Sequence, residues 1–489
     1  MSRRADAPLR VAIIGSGFGG LAMAVKLSKR TDADFVVFER AGEIGGTWRD
    51  NQYPGCEVDI HSHIYSFSFL KHDWPRTHAT QPELFAYANR VVDRFGLRDR
   101  IRLGVGVAEA RWIEDDHPGY DVTTTDGRTE RFDAVVSAVG LLNLPRYPDW
   151  PGLEDFEGVR FHTSRWESQH DLAGKRVAVV GTGSTAIQVV PALAPIVGEL
   201  TVYQREPGWI EPKSERAFTP FERWLYGRVP LAQRIHRYWL WAKANRRFKG
   251  YDKGSEMQER MRAVCTSFID RTVQDPVTRA ALTPDYAWGC KRPIVATTYY
   301  DAFNRDNVLL VPHAVASATA TGLVDTTGVE REVDVLIMST GFQAQRFLAD
   351  LEIAGEDGVR LHDAWADRAE AFLGVTVPGF PNFFILYGPN TNGGTSIIAQ
   401  LERQAEVAVG AIRRLAKRRG SRVRTDATAT RAYVDWIDHE LATRASAKNS
   451  GCHNYFTDAH GAVVTEWPRT HIVYWWLTRT RRRRGLRYT

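Results

Sequence analysis

Gly15, Gly17 and Gly20 stand at GxGxxG spacing in "LRVAIIGSGFGGLAMAVKLSKR", and the apolar run "FVVF" that follows ends on Glu39. These residue types can hold a dinucleotide. The first glycine makes a tight turn, the second lets the backbone approach a pyrophosphate, and the third lets helix and strand pack closely. The pyrophosphate then sits at the helix N-terminus, and an acid about 20 residues on accepts ribose hydroxyls. A second signature, "KRVAVVGTGSTAIQVVPALA", carries Gly181, Gly183 and Ser184, with Ala186 in the third glycine place. Its next apolar run, "ELTVYQR", ends on Arg205 instead of an acid. An arginine there suits a 2′-phosphate; an ordinary surface charge is the alternative, and the position favours the phosphate. Glu39 therefore points to FAD in the first fold and Arg205 to NADPH in the second. Together they describe a flavoprotein reduced by a pyridine nucleotide.

The elements that position these turns predict an α/β chain: two Rossmann-like dinucleotide-binding domains, for FAD and NADPH, with a helical insertion. We expect a first part of the FAD-binding domain over 1–145. A linker and the first part of the NADPH-binding domain take 146–212, the helical insertion 213–288, the rest of the NADPH-binding domain 289–370, and the C-terminal part of the FAD-binding domain 371–489. "FDAVVSAVG", "NVLLV" and "VDVLIMSTGF" read as strands, and "PNFFILYGPNTNGGTS" as a strand and loop that return to the FAD-binding domain. In the insertion, Ile235, Tyr238, Trp239 and Ala242 have helical spacing with Arg and Lys between them. Such a helix suits a membrane surface or a core; the core is the commoner outcome and is the expectation.

With 489 residues, 43% hydrophobic and 25% charged, the chain has the composition of a soluble globular protein. Cys56, Cys265, Cys290 and Cys452 form no CxxC pair. That argues against a disulfide scaffold, a zinc site or a dithiol redox centre, and no metal is expected. "MSRRADAPLRVAIIGSG" has no apolar stretch of a secretory signal, and no run reaches the ~18 residues of a membrane span, so a cytoplasmic protein is expected. The net charge is +6, and "LTRTRRRRGLRYT" holds much of the excess. That tail suits nucleic acid or anionic lipid, but a solvated terminus is the plainer reading, so no nucleic-acid partner is expected.

"GGTWRDNQYPGCEVD", from Gly45 to Asp59, fits [A/G]GxWxxxx[F/Y]P[G/M]xxxD, and "FEGVRFHTSRW", from Phe156 to Trp166, fits FxGxxxHxxxW. Both patterns resemble those of the single-chain, FAD- and NADPH-dependent Baeyer–Villiger monooxygenases, over nearly the whole chain. Glu167 departs from the Pro or Asp usual after the tryptophan, while Trp166 itself favours ketone oxidation over the sister enzymes of sulfides and amines. The resemblance implies a ketone and O2 as reactants, a C4a-peroxyflavin, and an ester or lactone product. It implies that Arg292, in "GCKRPIVATTYYDAFNRDNV", supplies positive charge to the reaction and that Asp59 orients it. Lys291 is implied as a nucleotide phosphate partner, Trp48 as a cofactor-binding residue, and Gly158, His162 and Trp166 as a device coupling domain movement to cofactor position. Gln188, just after the second glycine turn, is expected to contact NADPH. Tyr455 stands where family members often place a tryptophan near cofactor and substrate. His61, His63 and Cys56 are expected to shape the flavin pocket. Mainly oxidising sulfides or amines is the alternative activity; a flavin disulfide reductase would need a cysteine pair, and a purely binding protein would leave two nucleotide loops without a use.

Overall fold

The computed structural model describes residues 8–348, 351–393, 396–417, 420–447, 454–458 and 460–489. Its frame is two five-stranded sheets, each wholly parallel. In the first, strand Arg10–Ile14 is central, with Asp34–Glu39 and Ile101–Leu103 on one side and Ala134–Ser137 and Phe383–Ile385 on the other. In the second, Arg176–Val180 is central, flanked by Glu199–Tyr203 and Val308–Val311 on one side and by Val335–Met338 and Val159–His162 on the other. Strands covered on both faces read as continuous apolar runs, which is why "VAII" and "VAVV" show no alternation. Each glycine turn leaves the C-terminal end of a central strand, where the strand order reverses and open α/β sheets bind ligands.

Helix Phe18–Arg30 is buried without interruption from Phe18 to Leu27. A small residue makes that possible: Gly19 lies against Leu401 of helix Ile397–Leu415, where an added Cβ would already touch. Strand Phe383–Ile385, which pairs with Ala134–Ser137, ties the C-terminal region to the first sheet.

Two elements differ from the sequence expectation. Part of the stretch read as a linker is an edge strand of the second sheet: Val159–His162 pairs with Val335–Met338. Its two half-buried residues are followed by two buried ones, so "VRFH" gives no clear period. The insertion also differs in packing. "FERWLYGRVPLAQRIHRYWLWAKANRRFKG" forms two helices, Pro220–Arg228 and Ala232–Arg247, separated at Leu231, whose φ of 66° is left-handed. Neither helix has a buried residue, so the apolar face over Ile235, Tyr238 and Trp239 does not pack on a core. Among the described residues, no helix is long and apolar enough to cross a membrane.

The insertion has a neck. Strand Ile210–Pro212 leads out of the second sheet, and Ile294–Ala296 leads back and pairs with it in parallel. Arg292 lies two residues before the returning strand.

Candidate active site

A cavity of about 810 Å³ lies between the two sheets and the neck. Gly15, Gly17, Glu39, Trp48, Asp59, Ser184, Gln188, Arg292 and Tyr455 all line it, so most of the residues singled out in the sequence converge there. Gly20 sits behind the turn, where a Cβ would lie 1.9 Å from the Gly15 carbonyl oxygen. It serves the close packing of helix on strand, as the spacing requires.

The first turn fits a dinucleotide. Gly15 has φ +103°, and a Cβ there would come within 2.7 Å of the Ala138 carbonyl oxygen. Gly17 caps helix Phe18–Arg30 with no side-chain hydrogen bond, and first-turn N–H groups left without a cap suit a phosphate. Glu39 is more occupied than the sequence indicates. Its Oε2 accepts from the Ser16 amide at 3.0 Å and the Ser16 hydroxyl at 2.7 Å; its Oε1 accepts from the Ala41 amide and from Arg49, both at 3.0 Å. Burial alone would raise this carboxyl, and the four hydrogen bonds outweigh it and hold the pKa below the ordinary value. A carboxylate has about four lone-pair sites, so a ribose hydroxyl would have to replace the Ser16 hydroxyl or the Arg49 donor. Trp48 donates to the Tyr65 hydroxyl at 3.2 Å.

The second turn has the same cradle: Gly181 has φ +119°, with a would-be Cβ 2.4 Å from the Ser339 carbonyl oxygen, while Gly183 opens onto free space. Arg205 is exposed just beyond strand Glu199–Tyr203. The Thr182 hydroxyl donates to the Glu206 carbonyl at 3.0 Å, tying the Arg205–Glu206 corner to the glycine turn. Lys291 pairs with the Glu206 carboxylate and lies 4.7 Å from the centre of the Tyr286 ring. Two cations thus flank the turn, a donor set that suits a nucleotide carrying an extra phosphate.

Arg292 and Asp59 meet across the cavity wall, Nη2 to Oδ2 at 2.5 Å. Asp59 holds the guanidinium above its ordinary pKa against the opposing effect of burial, and Tyr455, Tyr387 and Tyr251 act in the same direction. The Arg292 side chain still keeps 37% of its surface accessible, on the cavity side. Tyr455 accepts from the Asn392 amide at 3.4 Å, and Tyr387 donates to the Asn392 oxygen at 2.7 Å. Cys290, two residues before Arg292, is disulfide-bonded, which the scattered cysteines did not indicate.

The remaining residues act between elements. Gln188 was expected toward a nucleotide, but its amide is engaged with the first domain's loop: it accepts from the Tyr53 hydroxyl at 3.1 Å and donates to the Glu57 carbonyl at 3.0 Å. His162 is buried; its Nε2 lies 3.0 Å from the Gly341 carbonyl and its Nδ1 2.9 Å from the Ser164 hydroxyl. Burial lowers its pKa to about 4, so the ring is neutral and can donate to that carbonyl. A Cβ on Gly158 would strike the Phe156 ring and the Asp334 carbonyl, and Trp166 packs edge-on against Phe161 at 5.0 Å. Sequence reasoning missed Lys213, almost fully buried and paired with Glu57 at the foot of the insertion. Glu57 lies in the first motif and Lys213 in no motif, so no local pattern linked them.

His61 and His78 line the cavity, and with His63 and His236 they pack together with Phe218 and Tyr226. His63 and His236 bring their Nδ1 atoms to 2.8 Å, and His61 lies 5.4 Å from His63 and 5.9 Å from His78, ring to ring. Among the described residues no group of three or more such side chains has the geometry to hold a metal ion. Burial lowers His61 to about 2, His63 to about 3 and His78 to about 4, and lowers His236 as well. The sign follows. The unfolded chain takes up protons near pH 6.5 while the folded cluster stays neutral, so full stability is present above 6.5 and is lost as pH falls toward 3. Each such histidine contributes up to about 1.4 kcal/mol per pH unit in that window. Urea midpoints should therefore fall from pH 7.5 to 5.5, and less steeply in His63→Gln; an equal slope in the variant would remove the cluster from the account.

Chains of known kind share this arrangement. The model of flavin-binding monooxygenase-like proteins matches residues 8–271. A Baeyer–Villiger monooxygenase of Streptomyces coelicolor is 39% identical over 467 residues, covering 94% of this chain and 89% of that protein. The chain belongs to the flavin-binding monooxygenase-like family. Among solved structures, this flavin monooxygenase is similar to cyclohexanone monooxygenase from Rhodococcus sp. Phi1 bound to NADP+, at TM-score 0.85 and 30% identity, with 99% of this chain and all of that one covered. It is likewise similar to OTEMO in complex with FAD and NADP, at TM-score 0.86 and 27% identity over 99% and 100% of the two chains.

Proposed function

We propose that this flavin monooxygenase is an FAD- and NADPH-dependent Baeyer–Villiger monooxygenase, which inserts one oxygen atom of O2 beside a ketone carbonyl to give an ester or lactone. The observation that carries the reading is the Arg292–Asp59 pair, set in the wall of a cavity bordered by the first glycine turn and by Ser184 of the second. Gly15, Gly17 and Glu39, with Trp48 on the wall, would hold FAD, and Gly181, Gly183, Ser184, Arg205 and Lys291 would hold NADPH. The chemistry supplied by bound FAD, once reduced by NADPH, is the activation of O2. The chain supplies charge and enclosure. A guanidinium does not lose its proton, so Arg292 can face both the negative charge of the attacking oxygen and the oxyanion that develops on the ketone oxygen. Asp59 fixes the guanidinium's orientation. Apolar and aromatic walls keep water out and strengthen that electrostatic contact. His162, hydrogen-bonded to the Gly341 turn of the second sheet, positions the two domains and takes no part in proton transfer.

The test is a panel of cyclic, linear and aromatic ketones incubated with enzyme, NADPH and O2, with products separated by gas chromatography. Ester or lactone from at least one ketone is the expected result; sulfoxides or N-oxides alone, from a parallel panel of sulfides and amines, would overturn it. The nucleotide assignment has its own test. A well-placed charge-assisted contact is worth ~1.5–3 kcal/mol, so Arg205→Ala should raise the KM for NADPH by roughly 10–100-fold. The KM for NADH should hardly move, and an equal loss with both nucleotides would remove Arg205 from the 2′-phosphate site.

A further inference from the structure

The outer face of the insertion has the wrong surface for a helix that only meets water. Along Pro220–Arg228, Ala232–Arg247 and the turn between them the exposed side chains include Phe221, Trp224, Leu231, Ile235, Tyr238 and Trp239, with Ile235 at 65% and Trp239 at 57% exposure. Contiguous apolar surface of this kind marks an interaction face. Interleaved with it is mostly one sign of charge. Residues 217–250 hold eight Lys or Arg and a single acid, Glu222, which is paired with Arg216. Arg223 pairs with Asp73, Arg247 with Glu211, and Arg237 donates to the His63 and Ser66 carbonyls, which leaves Arg228, Arg234, Lys243, Arg246 and Lys249 for an outside partner. The face extends further, because Trp241 stacks on His471 at 4.8 Å, where helix His471–Thr480 begins, and that helix exposes Ile472, Trp475 and Trp476.

A helix lying in a bilayer interface combines these features: aromatic and branched apolar residues that enter the headgroup layer, and cations that meet anionic lipid. Tryptophan and tyrosine are the side chains that settle at that depth. A second copy of the chain is a poorer occupant. A two-fold contact sets the same patch against itself, and the remaining cations, with the one acid already paired, would face their own kind. The position of the helix adds a use for the docking. Leu240, Lys243, Ala244 and Arg247 of the same helix line the cavity, so one helix borders both the outer apolar face and the space where Arg292 stands.

We propose that the Pro220–Arg247 face docks peripherally on an anionic lipid surface and that the cavity beside it takes lipophilic ketones dissolved in that surface. The choice of ketones rests on the Baeyer–Villiger reading; the docking does not. The experiment is flotation of the FAD-loaded enzyme with vesicles of phosphatidylglycerol and phosphatidylcholine, or of phosphatidylcholine alone. The enzyme should float with the anionic vesicles, roughly tenfold less with the neutral ones, and lose binding in high salt. Trp224→Ser/Ile235→Ser/Trp239→Ser and Arg234→Glu change only exposed side chains. Both should lose flotation while melting temperature and turnover of a small water-soluble ketone stay as in the parent. Turnover of a long-chain ketone preloaded in anionic vesicles should fall in both variants. Absence of flotation, or flotation of the triple variant equal to the parent's, would overturn the docking, as would light scattering that shows a parent dimer broken by the triple variant. If the enzyme floats but no ketone yields an ester, the docking stands and the reaction reading fails, so the two are separable.

Discussion

Arg292→Ala is expected to keep its FAD and to go on oxidising NADPH, yet to form almost no ester or lactone. The guanidinium stands in the cavity wall, 2.5 Å from Asp59, with a third of its surface still open. Its work is electrostatic: negative charge on the attacking oxygen and on the developing ketone oxyanion both need a fixed cation in a site shielded from water. Removing one such group costs ~10²–10³ in rate. FAD binding should survive, because the glycine turn and Glu39 that would hold it touch neither Arg292 nor Asp59. The reducing power of NADPH then goes into hydrogen peroxide, two electrons per O2. Arg292→Lys should recover only part of the product, since an ammonium is a point charge without the planar fork that meets the Asp59 carboxylate. Asp59→Ala should show a milder form of the same defect, because it leaves the cation present but free to turn. NADPH consumption, peroxide and product are measured together for each variant. Product formation by Arg292→Ala near the parent rate would show that another group carries the charge.

The pair also shows where sequence reasoning reaches and where it stops. Arg292 and Asp59 are 233 residues apart. Nothing local in a Lys-Arg dipeptide announces a partner at that distance; only the resemblance of the flanking motifs pointed to it. The glycine turns were legible without help, because their requirement is steric and local. Gly15 and Gly181 each have positive φ and a backbone carbonyl where a Cβ would be. The parallel strands were legible too, since strands buried on both faces are apolar throughout. Helical periodicity was a weaker guide in the insertion. It shows that Ile235, Tyr238 and Trp239 share a face, and it cannot say whether anything covers that face. Gln188 shows a related limit: its place after the glycine turn pointed to a nucleotide, and nothing local announced that a loop from the other domain takes both ends of its amide while the residue lines the cavity. The Lys213–Glu57 ion pair had no signature at all, because burial of a charged pair depends on elements distant in the chain.

Gly15→Val is expected to yield a protein that is colourless as purified or loses its flavin on dialysis. The argument begins with the backbone. At φ +103° a residue with a β-carbon is strained by itself, on the order of 1–3 kcal/mol. The environment then removes any way to relax. The Cβ would lie 2.7 Å from the Ala138 carbonyl oxygen and 3.0 Å from its carbon. Ala138 is not free to retreat, for its amide donates to the Ile14 carbonyl at 2.8 Å, and the strand before it, Ala134–Ser137, pairs with Arg10–Ile14. The turn itself must open. Opening moves the amides at the start of helix Phe18–Arg30 away from the place where a pyrophosphate would lie, and affinity for FAD goes with them. The second sheet gives the control. Gly183 has ordinary φ and no atom within 4 Å of a would-be Cβ, so Gly183→Ala should fold and stay yellow. Flavin absorbance per protein, with circular dichroism to confirm the fold, reads both variants. Full flavin occupancy in Gly15→Val would remove FAD from the N-terminal turn, and a colourless Gly183→Ala would mean that the two turns do not hold separate cofactors.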